Sequence, residues 1–384
     1  MQVTKNIYNV GVNDKEVDLF EGQYIVPNGM AYNSYLIIDE KIALLDTVAQ
    51  GFYNEWLKNI KDVLGDKKID FLIVQHMEPD HSYNVMNFLK ENPQTKVVAS
   101  SKAFIMMKNF FGEDFLDRQV VVGENSTLSL GERTLTFVTA PMVHWPEVIM
   151  TYDAKDQVVF SADGFGKFGA LDVDEEWTCE ARRYYFGIVG KYGAPVQTLL
   201  KKIGGLPIKT ICPLHGPVLT ENLGYYINLY NVWSSYQSEV DGTFIAYTSV
   251  YGNTKKVAML LKDELEKRGE KVAISDLARE DMAECVEDAF KYSKLVLATT
   301  TYNGDIFPFM KTFIDALVER NYQNKRVGFI ENGSWAPVAY KKMQAMLEKS
   351  KNLTFMEQVV TILSACSKDN LEQISNLADQ LLNK

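Results

Sequence analysis

Six consecutive residues constrain the fold of this chain more than any other feature of its sequence. The segment HMEPDH, residues 76–81, directly follows residues 69–75, a continuous apolar run that is typical of a buried strand. Four of its side chains are of types that bind metal ions, namely His76, Glu78, Asp80 and His81. Because open sheets place their sites at the carboxyl ends of their strands, the sequence predicts a metal site where this strand ends.

The other histidines of the chain also follow predicted strands. They are His144 and His215, and Asp163 has the same kind of position. Unrelated surface or core histidines would share this position only by accident, so we expect one common site. Its ligands are four imidazoles and three carboxylates: His76, His81, His144, His215, Glu78, Asp80 and Asp163. This set suits two metal ions if one carboxylate bridges them, which leaves each ion room for an exogenous ligand.

The pattern of apolar residues changes near residue 242 and predicts two domains. Before that point, the sequence predicts a hairpin over residues 33–48, two strands within 148–163, a short strand over 209–213, and helices over 175–203 and 221–239. From Thr243 onwards, strands and helices alternate regularly. Asp241-Gly242 lies between the two patterns and is the expected boundary. The predicted domains are therefore residues 1–241 and 242–384.

The second domain has the pattern of a doubly wound parallel sheet. A strand at residues 244–247 is followed by a loop and by a helix that carries Ala258, Leu261 and Leu265 on one face. A further helix is predicted at residues 309–320, and further strands at 271–274, 294–298, 326–330 and 359–363. This alternation predicts a fold of the α/β class for this part of the chain.

Three polar loops follow strands of this sheet: residues 248–254 (TSVYGNT), 299–305 (TTTYNGD) and 332–335 (NGSW). The first loop precedes a helix, whose free N–H groups would bind a phosphate together with the loop hydroxyls. It contains neither G-x-x-x-x-G-K nor G-x-G-x-x-G, so neither a nucleoside triphosphate nor a dinucleotide is indicated. Turn formation alone could explain any one of these loops, but it is a poor explanation of all three.

Charge and cysteine content exclude several classes of protein. The formal net charge is −10 and the pI is about 5.1, which argues against nucleic acid or an anionic membrane as the partner. No apolar run reaches the roughly 18 residues of a membrane span, so no membrane segment is expected. The four cysteines are scattered, with no C-x-x-C pair. This predicts a reducing, cytoplasmic location and no fused rubredoxin-type or zinc-ribbon module.

The histidine and carboxylate pattern resembles that of the metallo-β-lactamase superfamily, whose motif is H-x-H-x-D-H followed by distant His, Asp and His. The resemblance implies an αββα sandwich for residues 1–241. Glu78 stands where the zinc hydrolases of that superfamily have their second histidine. A carboxylate is a harder, anionic ligand, and this favours iron over zinc.

The three polar loops resemble those of flavodoxin, in which the first loop holds the FMN phosphate and the other two flank the isoalloxazine ring. For the phosphate, the resemblance implies Ser249, Tyr251, Gly252, Asn253 and Thr254. For the ring, it implies Thr301, Tyr302, Asn303 and Gly304 in the second loop, and Asn332, Gly333, Ser334 and Trp335 in the third. The flat indole of Trp335 suits stacking on a flavin.

The two patterns in one chain resemble the flavodiiron proteins, and the resemblance covers essentially the whole sequence. It implies a two-domain fold that joins the α+β and α/β classes, with FMN and two iron ions. It also implies reduction of O2 to water or of NO to N2O by electrons relayed from the flavin. By the same resemblance, His76, Glu78 and His144 bind the iron nearer the flavin, Asp80, His81 and His215 bind the other, and Asp163 bridges. Tyr192 is expected to line the substrate pocket, although packing alone would also explain it.

The resemblance further implies the partners of the protein. The expected electron donor is a separate rubredoxin, with a reduced deazaflavin cofactor as the variant. A head-to-tail homodimer, or a dimer of such dimers, is expected to bring the flavin of one chain to the irons of the other. Two alternatives stay open: a zinc-dependent hydrolase with an accessory flavodoxin domain, and a flavin electron carrier whose first domain serves only for docking or dimerisation.

Overall fold

The structure is a computed structural model that describes residues 1–113 and 115–383. The chain divides into two compact units, Met1–Asn231 and Val232–Lys384. The boundary expected at Asp241-Gly242 lies inside a strand that begins at Val240. The expected boundary between the two functional domains stays a prediction.

The first unit contains two large sheets and two small two-stranded sheets. Its strands are, in chain order, β1 (Gln2–Thr4), β2 (Ile7–Asn9), β3 (Val12–Asp14), β4 (Leu19–Phe20), β5 (Tyr24–Ile25), β6 (Met30–Tyr32), β7 (Tyr35–Ile37), β8 (Ala43–Leu45), β9 (Phe71–Val74), β10 (Lys96–Ser100), β11 (Gln119–Val122), β12 (Thr127–Ser129), β13 (Thr134–Thr139), β14 (Ile149–Asp153), β15 (Val158–Phe160) and β16 (Thr210–Cys212). One sheet has the order β1-β2-β7-β8-β9-β10-β11 and the other β12-β13-β14-β15-β16, while β3 pairs with β6 and β4 with β5.

The helices of this unit are α1 (Tyr53–Leu64), α2 (Pro79–Ser82), α3 (Val85–Glu91), α4 (Ser101–Phe111), α5 (Trp177–Tyr184) and α6 (Gly193–Ile203), and α7 (Leu223–Ser234) continues into the second unit. The two sheets share one apolar core, in which Ile73 of β9 and Val98 of β10 belong to the same buried cluster as Phe137 of β13 and Phe160 of β15. Helix α4 packs on β10, and α6 packs on β13. This arrangement confirms the expected sandwich of two sheets between helices.

The predicted strands of this unit are confirmed, but one predicted helix is wrong in its middle. The hairpin over residues 33–48 is present as β7 and β8. The helix predicted over residues 175–203 is interrupted between α5 and α6 by a π-turn at Tyr185–Val189 and a 3₁₀ turn at Gly190–Tyr192. The hydroxyl of Tyr24 donates to the carbonyl of Gly187 at 2.8 Å, and a Cβ on Gly187 would lie 3.0 Å from the Tyr24 ring. Glycine at this close approach therefore lets the helix deform.

The second unit is a parallel sheet between helices. Its strands are β17 (Val240–Tyr247), β18 (Val272–Asp276), β19 (Tyr292–Tyr302), β20 (Asp305–Ile306), β21 (Arg326–Asn332) and β22 (Thr354–Ile362). Its further helices are α8 (Asn253–Lys267), α9 (Met282–Lys291), α10 (Pro308–Glu319), α11 (Ala339–Leu347) and α12 (Lys368–Leu382). Neighbours in the order β18-β17-β19-β21-β22 are parallel, and β20 pairs with β19 in the antiparallel direction.

Leaving β20 aside, this is the strand order 2-1-3-4-5 of the flavodoxin-like doubly wound fold. The helix face predicted from Ala258, Leu261 and Leu265 is confirmed, since all three residues are fully buried on α8. Side chains that follow the carboxyl ends of β17, β19 and β21 meet at one edge of the sheet, because parallel strands all end there.

Candidate metal centre and flavin site

The predicted metal ligands of the first unit come together although they are far apart in sequence. Three strands supply them at their carboxyl ends, namely β9, β15 and β16, and α2 and the loop between β13 and β14 supply the rest. The ligands form two groups of buried or partly buried donor atoms: His76, Glu78, His144 and Asp163 in one, and Asp80, His81 and His215 in the other.

In the first group, two carboxylates face the same two imidazoles. Glu78 Oε2 lies 3.2 Å from His76 Nε2 and 3.0 Å from His144 Nε2. Asp163 Oδ2 lies 3.4 Å from His76 Nε2 and 3.2 Å from His144 Nε2. All four side chains therefore direct donor atoms into one small volume.

The second group is built in the same way and shares Asp163 with the first. Asp80 Oδ2 lies 3.3 Å from the Nε2 atoms of both His81 and His215. The other oxygen of Asp163, Oδ1, lies 3.3 Å from His81 Nε2 and 3.9 Å from His215 Nε2. Asp163 thus has one oxygen directed to each group, which is the placement that a bridging carboxylate needs.

These donor atoms suit metal ions better than they suit one another. His215 Nδ1 lies 2.8 Å from the carbonyl oxygen of Ala31, so a neutral ring donates there and keeps its lone pair on Nε2. The Nε2 atom of His215, which carries this lone pair, lies 3.0 Å from Nε2 of His81. Both carboxylate oxygens of Asp80 and of Asp163 are buried and have no hydrogen-bond partner in the described part of the chain. Because unpaired buried oxygens are costly, a cation at each group would stabilise them.

The charges of the site also favour bound cations. Burial alone would lower the pKa of His76, but Asp163, Glu147 and Glu78 raise it well above its ordinary value. The same opposition of burial and carboxylates raises the pKa of His144 to about 9. Burial alone would raise the pKa of Asp163, but the neighbouring histidines hold it well below its usual range. The carboxylates therefore stay ionised, and positive charge is stabilised between them.

Two acidic residues that the sequence analysis missed hold the loop after β9. Glu147 Oε1 lies 2.9 Å from His76 Nδ1 and accepts the N–H of Met77 at 2.8 Å. Asp46 accepts the backbone N–H groups of Gln75 at 2.7 Å and of His76 at 3.3 Å. Asp46 ends the second strand of the predicted hairpin, so an acid at a strand end was the available signal. Glu147 follows a predicted ligand by three residues, which gave no comparable signal.

Tyrosines other than the predicted Tyr192 lie beside the metal ligands, among them Tyr184 and Tyr32, and the Tyr32 ring lies 5.8 Å from that of His215. The rings of Tyr184 and His215 lie 5.5 Å apart, and the Tyr184 hydroxyl is buried with no hydrogen-bond partner among residues 1–113 and 115–383. Burial and the carboxylates of Asp163, Glu78 and Asp80 raise the pKa of Tyr184 well above its usual value. Tyr192 is half-buried where α6 begins, and in the described residues no hydrogen bond or ring contact joins it to a predicted ligand. Its role in the pocket stays a prediction.

The predicted flavin residues of the second unit surround one cavity of about 640 Å³. This volume is ordinary for a cofactor site. The predicted residues that line the cavity are Ser249, Tyr251, Asn253, Thr254, Thr301, Tyr302, Asn303, Gly304, Asn332, Gly333, Ser334 and Trp335. Four lining residues were not predicted: Val250, Thr300, Ala336 and Ser364. Ser364 follows the last strand of the sheet, so the rule of polar loops at strand ends would have found it.

Gly252 is the one assigned flavin residue that does not line the cavity. It precedes α8 with a φ of +92°, a conformation that favours glycine. No side chain caps the start of α8, and the N–H of Gly252 donates to Ser249 Oγ at 3.1 Å. Gly252 therefore shapes the turn that leaves the first N–H groups of α8 available to a phosphate.

The walls of the cavity are tied together, but its aromatic rim is open. Asn332 Nδ2 donates to Thr254 Oγ1 at 3.4 Å and to the carbonyl of Ser364 at 3.1 Å. By contrast, Tyr251 is 95% exposed and Trp335 is 92% exposed. Polar walls, a free helix N-terminus and two uncovered aromatic faces suit a ligand that joins a phosphate to a planar ring, as FMN does.

Among the described residues, no helix is both long enough and apolar enough to cross a membrane.

Comparison with known proteins finds a separate family model for each part of the chain. Residues 30–216 match the model of the ODP family beta lactamase, and residues 245–376 match that of flavodoxin. The nitric oxide reductase of Moorella thermoacetica is 31% identical over 361 residues, which cover 91% of this chain and 90% of that protein. The anaerobic nitric oxide reductase flavorubredoxin of Escherichia coli O1:K1 is 29% identical over 359 residues, which cover 90% of this chain and 74% of that protein.

Solved structures extend the similarity to the fold of the whole chain. Rubredoxin oxygen:oxidoreductase from the anaerobe Desulfovibrio gigas superimposes with a TM-score of 0.92 at 25% identity, covering 99% of this chain and 97% of that one. The flavodiiron protein from Giardia intestinalis superimposes with a TM-score of 0.88 at 24% identity, covering 99% and 96%.

Proposed function

Since this chain belongs to the flavodiiron proteins, we infer that it is an oxidoreductase that reduces O2 to water, NO to N2O, or both. The second unit would hold FMN, and the first unit would hold a diiron centre that receives electrons from it. The observation that carries this assignment is the first group of ligands, in which Glu78 faces His76 and His144 from the position where zinc hydrolases have a histidine. A site that offers three carboxylates to two ions favours iron.

The side chains of the first unit would hold the two ions in unequal surroundings. His76, Glu78 and His144 would bind one ion, Asp80, His81 and His215 would bind the other, and Asp163 would bridge them. When bound, the two irons supply one-electron redox chemistry and open coordination positions for the substrate. The protein supplies histidines that keep the carboxylates ionised, and buried surroundings that exclude bulk water from the donor atoms.

Tyr184 would act beside this centre. Its hydroxyl is protonated at neutral pH, as that of an ordinary tyrosine is, and the proton has no partner within the described residues. We infer that this O–H donates a hydrogen bond within the substrate pocket.

In the second unit, the first loop and the start of α8 would bind the phosphate of FMN, and the other two loops would contact the flavin ring. Ser249, Asn253 and Thr254 supply hydroxyl and amide groups for the phosphate. Trp335 and Tyr302 supply aromatic surface for the ring.

Metal and flavin analysis tests the assignment. We expect about two irons and one FMN per chain in protein produced with iron available, as the two ligand groups and the single cavity require. Predominantly zinc under these conditions would overturn the redox assignment and favour a hydrolase. Turnover measured anaerobically with O2 and with NO, using one chemical donor, then determines which substrate is preferred.

We also propose that the protein is cytoplasmic, that a separate rubredoxin supplies its electrons, and that it acts as a head-to-tail homodimer. The name of the Desulfovibrio gigas relative includes rubredoxin, and the scattered free cysteines suit a reducing compartment. The exposed Tyr251 and Trp335 support the dimer, because aromatic residues are enriched at protein–protein interfaces.

Mixed dimers test transfer between chains. One chain carries Asp163→Ala, which removes the bridge, and the other carries Asn253→Asp with Thr254→Asp, which repels the FMN phosphate. Each parent homodimer should be inactive. The heterodimer keeps one intact pair of sites, so recovered activity is expected if electrons cross between chains. Heterodimers with verified iron and FMN contents that stay inactive would show that transfer runs within a chain.

A further inference from the structure

The two groups of metal ligands receive different support from the residues behind them. His76 Nδ1 lies 2.9 Å from the carboxylate of Glu147, whereas His215 Nδ1 lies 2.8 Å from the backbone carbonyl of Ala31. His81 Nδ1 is buried and has no hydrogen-bond partner in residues 1–113 and 115–383. Among the described residues, His76 is thus the ligand ring with a carboxylate hydrogen-bonded behind it, whereas Asp46, which interacts electrostatically with His81, makes no hydrogen bond to that ring.

The surroundings of Glu147 keep its carboxylate at His76. Its side chain is fully buried, and Oε1 also accepts the N–H of Met77 at 2.8 Å. The hydroxyl of Ser100 donates to the backbone carbonyl of Glu147 at 2.8 Å, and the ring of Trp145 lies 5.2 Å from that of His76. Glu147 is therefore fixed from both its side chain and its backbone.

A carboxylate behind an imidazole ligand has two effects on the metal. It holds the proton on Nδ1, which leaves the lone pair on Nε2 for the metal, and it makes that nitrogen a stronger electron donor. A neutral carbonyl gives the first effect in full but the second only weakly. The Nε2 atom of His76 is the one that faces Glu78 and Asp163, so the added electron density reaches the first group.

We propose that Glu147 is a positioning residue that makes the His76, Glu78 and His144 position the stronger of the two metal positions and the one that holds ferric iron longer during reduction. Counting the carboxylate of Glu147, this position has two carboxylates of its own besides the shared Asp163, whereas the other has only Asp80. The proposal deepens the proposed function and rests on it, because it assumes that the two groups bind iron.

The direct test is partial loading of the metal-free protein. One equivalent of Fe(II) is added anaerobically in the presence of a competing chelator, and anomalous diffraction from crystals gives the occupancy of each position. In the unaltered protein, iron should fill the position at His76, Glu78 and His144 first. In Glu147→Gln, the ratio of the two occupancies should fall by about 10- to 100-fold, the usual effect of removing a partner behind a ligand.

A reductive titration followed by electron paramagnetic resonance supplies a second readout. Unequal positions give two separated one-electron steps and a populated mixed-valence state between them. In Glu147→Gln, the ratio of ferric to ferrous iron at a given potential within the later reduction step should change about tenfold. For one electron, this corresponds to a shift of about 59 mV in the reduction potential of that step. The mixed-valence signal should shrink accordingly.

Ser100→Ala is the matched control. It removes the hydroxyl that contacts the Glu147 backbone and also the cap of α4, where Ser100 Oγ accepts the N–H of Ala103 at 3.2 Å. It therefore loosens the same region but keeps the carboxylate, and the unequal occupancies should persist. If Glu147→Gln does not fold, Glu147→Asp provides the same readouts, because its shorter side chain keeps the charge but withdraws it from Nδ1.

Three results would overturn the proposal: equal filling of the two positions in the unaltered protein, an unchanged occupancy ratio in Glu147→Gln, or an equal change in Ser100→Ala. A failure of the proposed function is recognised separately, since the unaltered protein would then bind no Fe(II) at either position.

Discussion

The metal centre and the flavin cavity differ in how far the protein's own side chains bury and contact one another at each site. In the first unit, the ligand side chains are buried or partly buried and contact one another within 3.0 to 3.9 Å, and some carboxylate oxygens at the centre have no partner among the described residues. In the second unit, hydrogen bonds tie the walls of the cavity, but Tyr251 and Trp335 are almost fully exposed. The fold alone thus positions the metal ligands, whereas a bound ligand must cover the flavin rim. Substitutions should therefore act sharply at the first site and gradually at the second.

The largest effect is expected from Asp163→Ala. This side chain directs one oxygen to each ligand group, so its loss weakens both metal positions at once. We expect iron binding and turnover to fall by more than about 100-fold, beyond the loss caused by removing a residue behind a ligand. Metal analysis and turnover measure the effect, and FMN content is the internal control. A variant that keeps two irons would contradict the expected difference between the two sites, because the metal site would then tolerate substitution as the flavin rim does.

A second prediction concerns the residue that distinguishes this metal site from those of zinc hydrolases. Glu78→His replaces a carboxylate that faces His76 and His144 by a neutral, softer ligand, so metal preference should shift towards zinc. O2 and NO reduction should fall about tenfold or more, in line with the loss of metal affinity. FMN should stay bound. Unchanged iron occupancy and turnover would mean that Glu78 is not a ligand.

A smaller effect is expected at the flavin rim. Trp335→Ala removes a ring that is 92% exposed and lines the cavity. Stacking of one aromatic pair contributes about 0.5–1.5 kcal/mol, so FMN should bind up to about tenfold more weakly. Fluorescence titration of the flavin-free protein measures this change. Phe309→Ala is the matched control, because Phe309 is an exposed aromatic of the same unit that does not line the cavity. Equal weakening in both variants would count against stacking by Trp335.

For Gly252→Ala, the expected effect is on folding stability. A Cβ at this position would meet no atom within 4 Å, so the change acts through the φ of +92° alone. The cost of this conformation for a residue with a side chain is about 1–2 kcal/mol. Urea unfolding of the flavin-free protein should show a loss of this order. Gly205→Ala, also in open space but without a positive φ, should lose much less. A similar loss in both variants would show that the turn before α8 is not strained.

The sequence predicted the ligands of the metal site better than the residues that support them. His76, His144, Asp163 and His215 all follow strands, and this shared position could be read directly from the apolar runs. Glu147 could not be found in this way, because its contact with His76 joins two loops that only the folded sandwich brings together.

Tyr184 illustrates a second limit of prediction from the sequence. The helical spacing over residues 175–203 continues without a break, but the folded chain deforms at Gly187 where Tyr24 approaches. Tyr184, which contacts His215, precedes this deformation, and Tyr192 ends the 3₁₀ turn that follows it. In the second unit, by contrast, regular alternation of strands and helices predicted both the fold and the three loops that surround the cavity.

The most direct test of the account is the reoxidation of the flavin in fully reduced protein. Protein containing iron and FMN and the same protein freed of iron are reduced anaerobically and mixed with O2 or with NO in a stopped-flow instrument. We expect rapid return of the oxidised flavin absorbance with at least one of the two substrates only when iron is present, because electrons leave FMN through the diiron centre. Equal rates with and without iron for both substrates would contradict it and would assign the reaction to the flavin alone.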